Sequence, residues 1–220
     1  MKNLDNVGRV TVFLRKAYRL MNEQLFDGEL PDVQITLVNS ARVYGHITLD
    51  ANTWQTSRGE GMHEIAISNN YLSMPGRQIE DVISTLAHEA THLWCMQHSV
   101  KDTSRGYTYH NKRFKAAAEA HGLIVEHSEK YGWSHTKPGD RILQFCLDNG
   151  FADIQINRNA DYPFFAGRGN GSPSSTGMTP RGRTSSARRL VCPGCGLICR
   201  VTKRDARVAC LACSVELEET

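Results

Sequence analysis

The sequence predicts an α+β domain followed by a small β module rich in cysteine. Three observations carry that expectation. A helical period of apolar residues runs from Val10 to Leu25 and again from Ile79 to Leu93. Between these stretches lie short segments with the alternating period of half-buried strands. Near the C-terminus, two Cys-x-x-Cys pairs are separated by 14 residues.

Val10, Phe13, Leu14, Ala17, Met21 and Leu25 follow the i, i+3, i+4, i+7 rule and mark a first helix. Val33-Gln34-Ile35-Thr36-Leu37 alternates cleanly as a strand. Val43 to Leu49 and Glu64 to Ser68 are the next strand candidates. Either is a candidate edge for pairing with an extended peptide. Pro75-Gly76 punctuates the chain before a second helix, whose Ile79, Val82, Ile83, Leu86, Ala90 and Leu93 form one stripe. Ser104 to Tyr109 reads as a glycine-containing loop, leading into a helix over 111–121 that ends at Gly122. Asp140 to Asn149 reads as a last helix closed by Gly150. The rest of 126–165 carries no motif that places it. Trp94 is expected in the core and Trp54 in a polar loop; packing is the default reading for Trp54, with stacking on a base or lining a cleft as the alternative. Cys95 and Cys146 read as core residues.

The second helix contains His88-Glu89-Ala90-Thr91-His92, an HExxH pattern. Helical spacing puts the two imidazoles about one turn apart on one face, opposite the apolar stripe. Both can then bind one tetrahedral zinc, and Glu89 is placed to take a proton from a water that the metal acidifies. That is the machinery of a zinc peptidase. A catalytic site needs a third protein ligand. His98 completes the spacing His-Glu-x-x-His-x-x-x-x-x-His, but Cys95 stands where a sharp turn would need glycine. If the helix runs on, His98 points about 100° away from the pair and lies about 9 Å further along. His110, at the start of the following helix, is the leading candidate; Glu119 and His121 are further ones. Tyr107 and Tyr109 are candidate hydrogen-bond donors to the oxyanion of a tetrahedral intermediate.

From Ala166 to Arg189 the chain turns to Gly, Ser, Pro, Thr and Arg, the composition of a flexible linker. Charge is segregated as well. Of a net +3, residues 162–220 hold nine Lys/Arg against four Asp/Glu, and the first 161 residues carry −2. Arg168, Arg181, Arg183, Arg188 and Arg189 are candidates to neutralise phosphates, as are Arg200, Lys203, Arg204 and Arg207 beyond them. Cys192, Cys195, Cys210 and Cys213 have the spacing of a tetrathiolate zinc ribbon. Cys199 is left over, as a small buried hydrophobe of the ribbon or a substitute ligand.

The expected organisation is a domain over 1–165, a basic linker over 166–189 and a ribbon over 190–220. Neither a secretory leader nor an apolar run approaching 18 residues is present, so secretion and membrane spanning are not expected. Four of the seven cysteines fall in metal-binding pairs, which favours a reducing cytoplasm.

The ordered set Leu25-Phe26-Asp27-Gly28-Glu29-Leu30-Pro31, a strand pair, HExxH, then Gly106-Tyr107-x-x-His110-Asn111-x-x-Phe114 resembles the SprT-like domain. That family includes bacterial SprT and the DNA-dependent protease Spartan. The resemblance covers roughly residues 8 to 125, with a cysteine-rich module following as in many members. It implies a zincin-like metallopeptidase fold, with His88, His92 and His110 as ligands and Glu89 as general base. Two zinc ions are then expected, one catalytic and one structural. The expected activity is peptide hydrolysis on proteins in contact with nucleic acid, including DNA–protein crosslinks, with DNA held by the linker and ribbon. The rival from another class is a nucleic-acid-binding or transcription-associated zinc protein with negligible peptidase activity.

Overall fold

Asn6 starts the first helix, α1 (Val7–Leu25), by accepting the Arg9 amide on its side chain at 3.0 Å. The computed structural model describes residues 3–159, 188–201, 205 and 207–219. The chain divides into two compact units, residues 1–164 and 165–220.

In the first unit, α1 leads into strands β1 (Val33–Val38), β2 (Gly45–Ile47), β3 (Trp54–Gln55) and β4 (Gly61–Ser68). Strand β4 is central: β1 lies parallel to it on one side, and β2 and β3 pair antiparallel with it. Strand β2 is shorter than the 43–49 expected. Hydrogen bonds from the Ser68 amide to the Tyr44 carbonyl and from the Thr48 amide to the Glu64 carbonyl extend the pairing by one residue at each end. Val43 and Leu49 beyond them are exposed. Trp54, expected in a loop, stands in the short strand β3 and is exposed.

Helix α2 (Ile79–Gln97) packs against both this sheet and a second one. The second sheet has the order β5-β6-β8-β7, from β5 (Thr103–Ser104), β6 (Tyr109–His110), β7 (Leu123–Ser128) and β8 (Gly132–Pro138). The segment expected as a loop is the turn 105–108, whose ends Ser104 and Tyr109 pair as the short strands β5 and β6, and the β7–β8 hairpin takes up part of 126–165, where no motif gave an expectation. Because α2 lies between the two sheets, Ser84, Thr85, Glu89 and Thr91 are buried along with the apolar stripe. The histidine face is therefore covered by protein and not simply opposed to the core.

Helix α3 (Lys112–Ala120) lies on β7 and α2, and α4 (Asp140–Asp148) packs on α2. Leu14, Met21, Phe26, Ile35, Ile65, Ile83, Leu86, Leu93, Phe114 and Ile142 are fully buried and form one core. Each such side chain contributes about 1.5–3 kcal/mol relative to exposure. The turn after α1 is tied in at several points. Asn22 holds Leu30 through both its side-chain amide and oxygen at 2.9 Å. Glu29 accepts the Trp94 indole N–H at 2.9 Å and pairs with His98 at 3.2 Å, fastening α1 to the end of α2. At the other end of α2, Asp153 accepts the Ile79 amide at 2.9 Å. Cys95 and Cys146 are buried.

In the second unit, β9 (Arg188–Val191) pairs antiparallel with β10 (Ile198–Val201) and β13 (Glu218–Glu219). A hairpin joins β11 (Ala209–Cys210) to β12 (Val215–Glu216). Leu190, Cys192, Cys210 and Leu217 form its small core. Arg188 and Arg189, expected in the linker, stand in β9, while the linker from 166 to 187 lies outside the described residues. Among the described residues, no helix is long and apolar enough to cross a membrane.

Candidate active site and metal centres

His88 and His92 stand one turn apart on α2, and β6 brings His110 to meet them. Their Nε2 atoms form a triangle: 3.2 Å from His88 to His92, 3.2 Å from His88 to His110 and 3.0 Å from His92 to His110. A tetrahedral zinc with Zn–N bonds of about 2.0–2.1 Å requires N···N separations of about 3.3 Å. Three neutral imidazole lone pairs this close repel one another unless a cation stands among them. The three donors therefore fit one metal ion, with a tetrahedral position left for a non-protein ligand.

The other ring nitrogens orient the set. Asp102 Oδ2 lies 2.5 Å from His92 Nδ1, and both side chains are largely buried. A carboxylate there keeps the proton on Nδ1 and the lone pair on Nε2. Thr136 Oγ1, on β8, lies 3.2 Å from His88 Nδ1. His110 Nδ1 is buried without a well-formed hydrogen bond. The Phe114 ring packs beneath all three imidazoles, with centroids 4.6–4.7 Å away.

Local structure explains the delivery of His110. Helix α2 ends at Gln97 with His98 as its C-cap, and Ser99 takes a left-handed φ of 54°, which reverses the chain. Asp102 follows three residues later. Asn111 then caps α3, its side-chain oxygen accepting the Arg113 and Phe114 amides at 2.7 and 3.3 Å. The same residue gives its backbone amide to the Asp102 carbonyl at 2.9 Å and its side-chain amide to the Lys101 carbonyl at 2.8 Å. Asp102 and His110 are thus held together through Asn111.

Burial sets the proton affinities of the site. It holds His88 well below the usual histidine range, helped by His92 and His110. It pushes His110 down to about 4, with His92 acting in the same direction and the Tyr131 carbonyl partly offsetting. Both rings therefore favour the neutral form that binds metal. Glu89 is buried, and desolvation raises it to about 7, with His92 pulling the other way. A carboxyl near neutrality can both accept and return a proton. Glu89 Oε1 lies against Gly45 of β2: a Cβ at Gly45 would stand 3.3 Å from it and 3.0 Å from Thr85.

The remaining sequence candidates lie elsewhere. His98 stacks on Trp94 at 4.0 Å and pairs with Glu29. His121 stacks on Phe26 at 4.0 Å, with Nδ1 on the Ala117 carbonyl. Glu119 pairs with Lys115 at the surface. Tyr107 is exposed, and the Tyr109 hydroxyl lies 3.4 Å from His127 Nε2 instead of on the histidine cluster. Asp102, Thr136 and Gly45 were missed by sequence reasoning. Asp102 follows His92 by ten residues, outside any helical spacing, and only its acidic character marks it.

In the second unit, Cys192, Cys195, Cys210 and Cys213 bring their sulfurs within 4.8 Å of one another. Cys195 and Cys210 are 3.6 Å apart, near the roughly 3.8 Å expected around a tetrahedral ion with Zn–S bonds of about 2.3 Å. The Cys195 backbone amide leads the causes that lower Cys192 to about 7, while hydrogen bonding led by the Cys195 side chain pushes Cys213 up to about 12. Gly194 permits this closeness, since a Cβ there would meet Cys213 Sγ at 3.0 Å. Cys199 stands in β10, packed against the small core and outside the four-sulfur group. Arg207, expected as part of a basic tip, is paired with both Glu216 oxygens at 2.6 and 2.5 Å. Lys203 and Arg204 lie outside the described residues, as do Arg168, Arg181 and Arg183.

No curated protein and no solved structure matches the chain. The model of the SprT-like family matches residues 14–130, a span that contains α2, the three converging histidines and the β7 strand. That match covers more than half of the sequence, and the chain belongs to the SprT-like family.

Proposed function

We propose that the chain is a zinc metallopeptidase acting on proteins associated with nucleic acid, with DNA-crosslinked protein as the leading substrate. The observation that carries this reading is the meeting of three Nε2 atoms within 3.2 Å beside a buried carboxylate on the same helix. The family's metallopeptidase character supports it. Zinc suits an all-imidazole set, and when bound it supplies Lewis acidity to the scissile carbonyl and to a water. Glu89 takes the proton of the attacking water and delivers it to the departing amine. Asp102 holds His92 in the required tautomer. The exposed edge of β2, next to Glu89, offers backbone groups to an extended substrate. A second zinc in the four-cysteine group would be structural, and the basic tail would hold DNA. Seven cysteines outside disulfides, four of them grouped for a metal, support a reducing, cytoplasmic setting.

The test is proteolysis of an unfolded protein, with and without single- or double-stranded DNA, by wild type and Glu89→Gln. Cleavage that needs Glu89 supports the proposal. Metal-loaded protein that binds DNA but cleaves nothing would favour the rival, a nucleic-acid-binding zinc protein.

A further inference from the structure

At the Tyr44 end of the β2 edge stands a half-buried cation. Arg77, just before α2, gives Nη2 to Thr85 Oγ1 at 2.7 Å and to the Asp81 carbonyl at 3.2 Å. Its guanidinium lies 4.3 Å over the Tyr44 ring. Tyr71, in the short turn Asn69–Tyr71 after β4, meets Tyr44 edge-on at 4.8 Å between centroids. Arg42, Val43, Tyr44 and Tyr71 line a hollow of about 200 Å³ there. A cavity of about 150 Å³ holds a benzene, so the hollow has room for one side chain. We infer that this end of the cleft is a specificity subsite, in which Arg77 and Arg42 bind a carboxylate of the peptide substrate.

Contacts along α2 place the subsite relative to the chemistry. Thr85 precedes Glu89 by one helical turn, about 6 Å of rise. Gly45, next to Tyr44, touches both: a Cβ on it would stand 3.0 Å from Thr85 Cγ2 and 3.3 Å from Glu89 Oε1. One turn of helix matches about two residues of extended peptide. A peptide added antiparallel to the free edge of β2, the more stable pairing, runs from Ile47 toward Tyr44. The residue read at Arg77 is then about two places C-terminal to the cleaved bond.

The placement of Arg77 is unfavourable without an anion. Burial lowers its proton affinity, with Asp81 partly offsetting. It stands at the N-terminal end of α2, where the helix dipole disfavours a cation. Its Nε is buried without a hydrogen bond, and among the described residues Nη1 makes none. The Asp81 carboxylate is engaged by the Gln78 amide at 3.0 Å. Arg42 is exposed and, among the described residues, makes no ion pair. A carboxylate answers both cations. A lysine would be repelled, and an apolar side chain would leave the guanidinium desolvated and unpaired. The carboxylate can come from an acidic side chain or from a chain end at that position.

This subsite rests on the peptidase reading for its substrate, so the test reads binding apart from cleavage. The probes are amidated, fluorescein-labelled peptides of about 12 uncharged residues, longer than the edge strand, with one central Glu, Gln or Lys. A fourth has the central Gln and a free C-terminus. Anisotropy is followed in the full chain carrying Glu89→Gln, which prevents turnover. The Glu peptide should bind at least about tenfold more tightly than the Gln peptide, the low end for hydrogen bonds to charged groups, and the Lys peptide most weakly. Adding Arg77→Met, which keeps the stem over Tyr44, should reduce Glu binding to the Gln level. Adding Arg42→Glu should reverse the order of Glu and Lys. Tighter binding of the fourth peptide than of its amidated form identifies a chain end as the source. With Glu89 intact, mass spectrometry should place cleavage about two residues before the Glu. Equal binding of all four peptides, or a Glu preference that both arginine variants retain, overturns the subsite. Arg42 is exposed, so its variant decides the matter even if Arg77→Met fails to fold. Arginine-dependent binding of Glu without cleavage keeps the subsite and fails the peptidase reading; cleavage without preference does the reverse.

Discussion

Gly132 lies against His110 so closely that a Cβ on it would stand 2.1 Å from the His110 carbonyl oxygen. The two residues face each other across the parallel β6–β8 contact, and Gly132 has a left-handed φ of 70°. Gly132→Ala should therefore push β6 away and move the third imidazole out of the triangle. Left-handed strain alone costs about 1–3 kcal/mol. Metal analysis should show the histidine-bound ion lost and the cysteine-bound ion kept, with far-UV circular dichroism near wild type.

Glu89→Gln keeps the size and hydrogen bonding of the side chain but cannot accept the water proton. Peptide hydrolysis should fall by at least about 10²-fold, the lower range for general acid–base catalysis. Metal content should stay the same. A wild-type rate would remove Glu89 from the role of base.

Asp102→Asn removes the charge that orients His92 while leaving the three ligands in place. Metal affinity at the histidine site should drop by about 10–100-fold. Competition with a fluorescent chelator measures this directly, and the tetrathiolate site serves as the internal control.

The ligand set predicts two ions per chain. His110→Ala should leave one, bound by the four cysteines, and abolish hydrolysis. His98→Ala should keep both ions and activity, because His98 is engaged with Trp94 and Glu29. Elemental analysis of the two proteins distinguishes the outcomes; the reverse pattern would make His98 the ligand.

The helices were legible because their apolar periods are long: α1, α2 and α4 lie within four residues of their expected bounds. Cys95 in place of glycine correctly implied that α2 runs past His92, and it extends to Gln97. The β7–β8 hairpin was not legible. Only Leu123 and Val125 alternate there, and β8 carries polar Ser134, His135, Thr136 and Lys137 because part of it serves the site instead of the core. Asp102 was hidden for a different reason. Its contact with His92 depends on a chain reversal at Ser99, where a serine adopts a left-handed φ that its identity does not announce. Nothing in the sequence marks Gly45 or Gly132, and their role as places of close approach appears only in three dimensions.

Asn111 ties together the segments that carry Asp102 and His110 by hydrogen bonds that involve no metal atom. The ordering of the third ligand is thereby completed when the chain folds, and arrival of the ion adds little further loss of freedom. Demetallation of this centre should then leave its backbone in place, with only the imidazoles turning apart to relieve their repulsion: a protein stripped by chelator should regain function on readdition of zinc, without refolding.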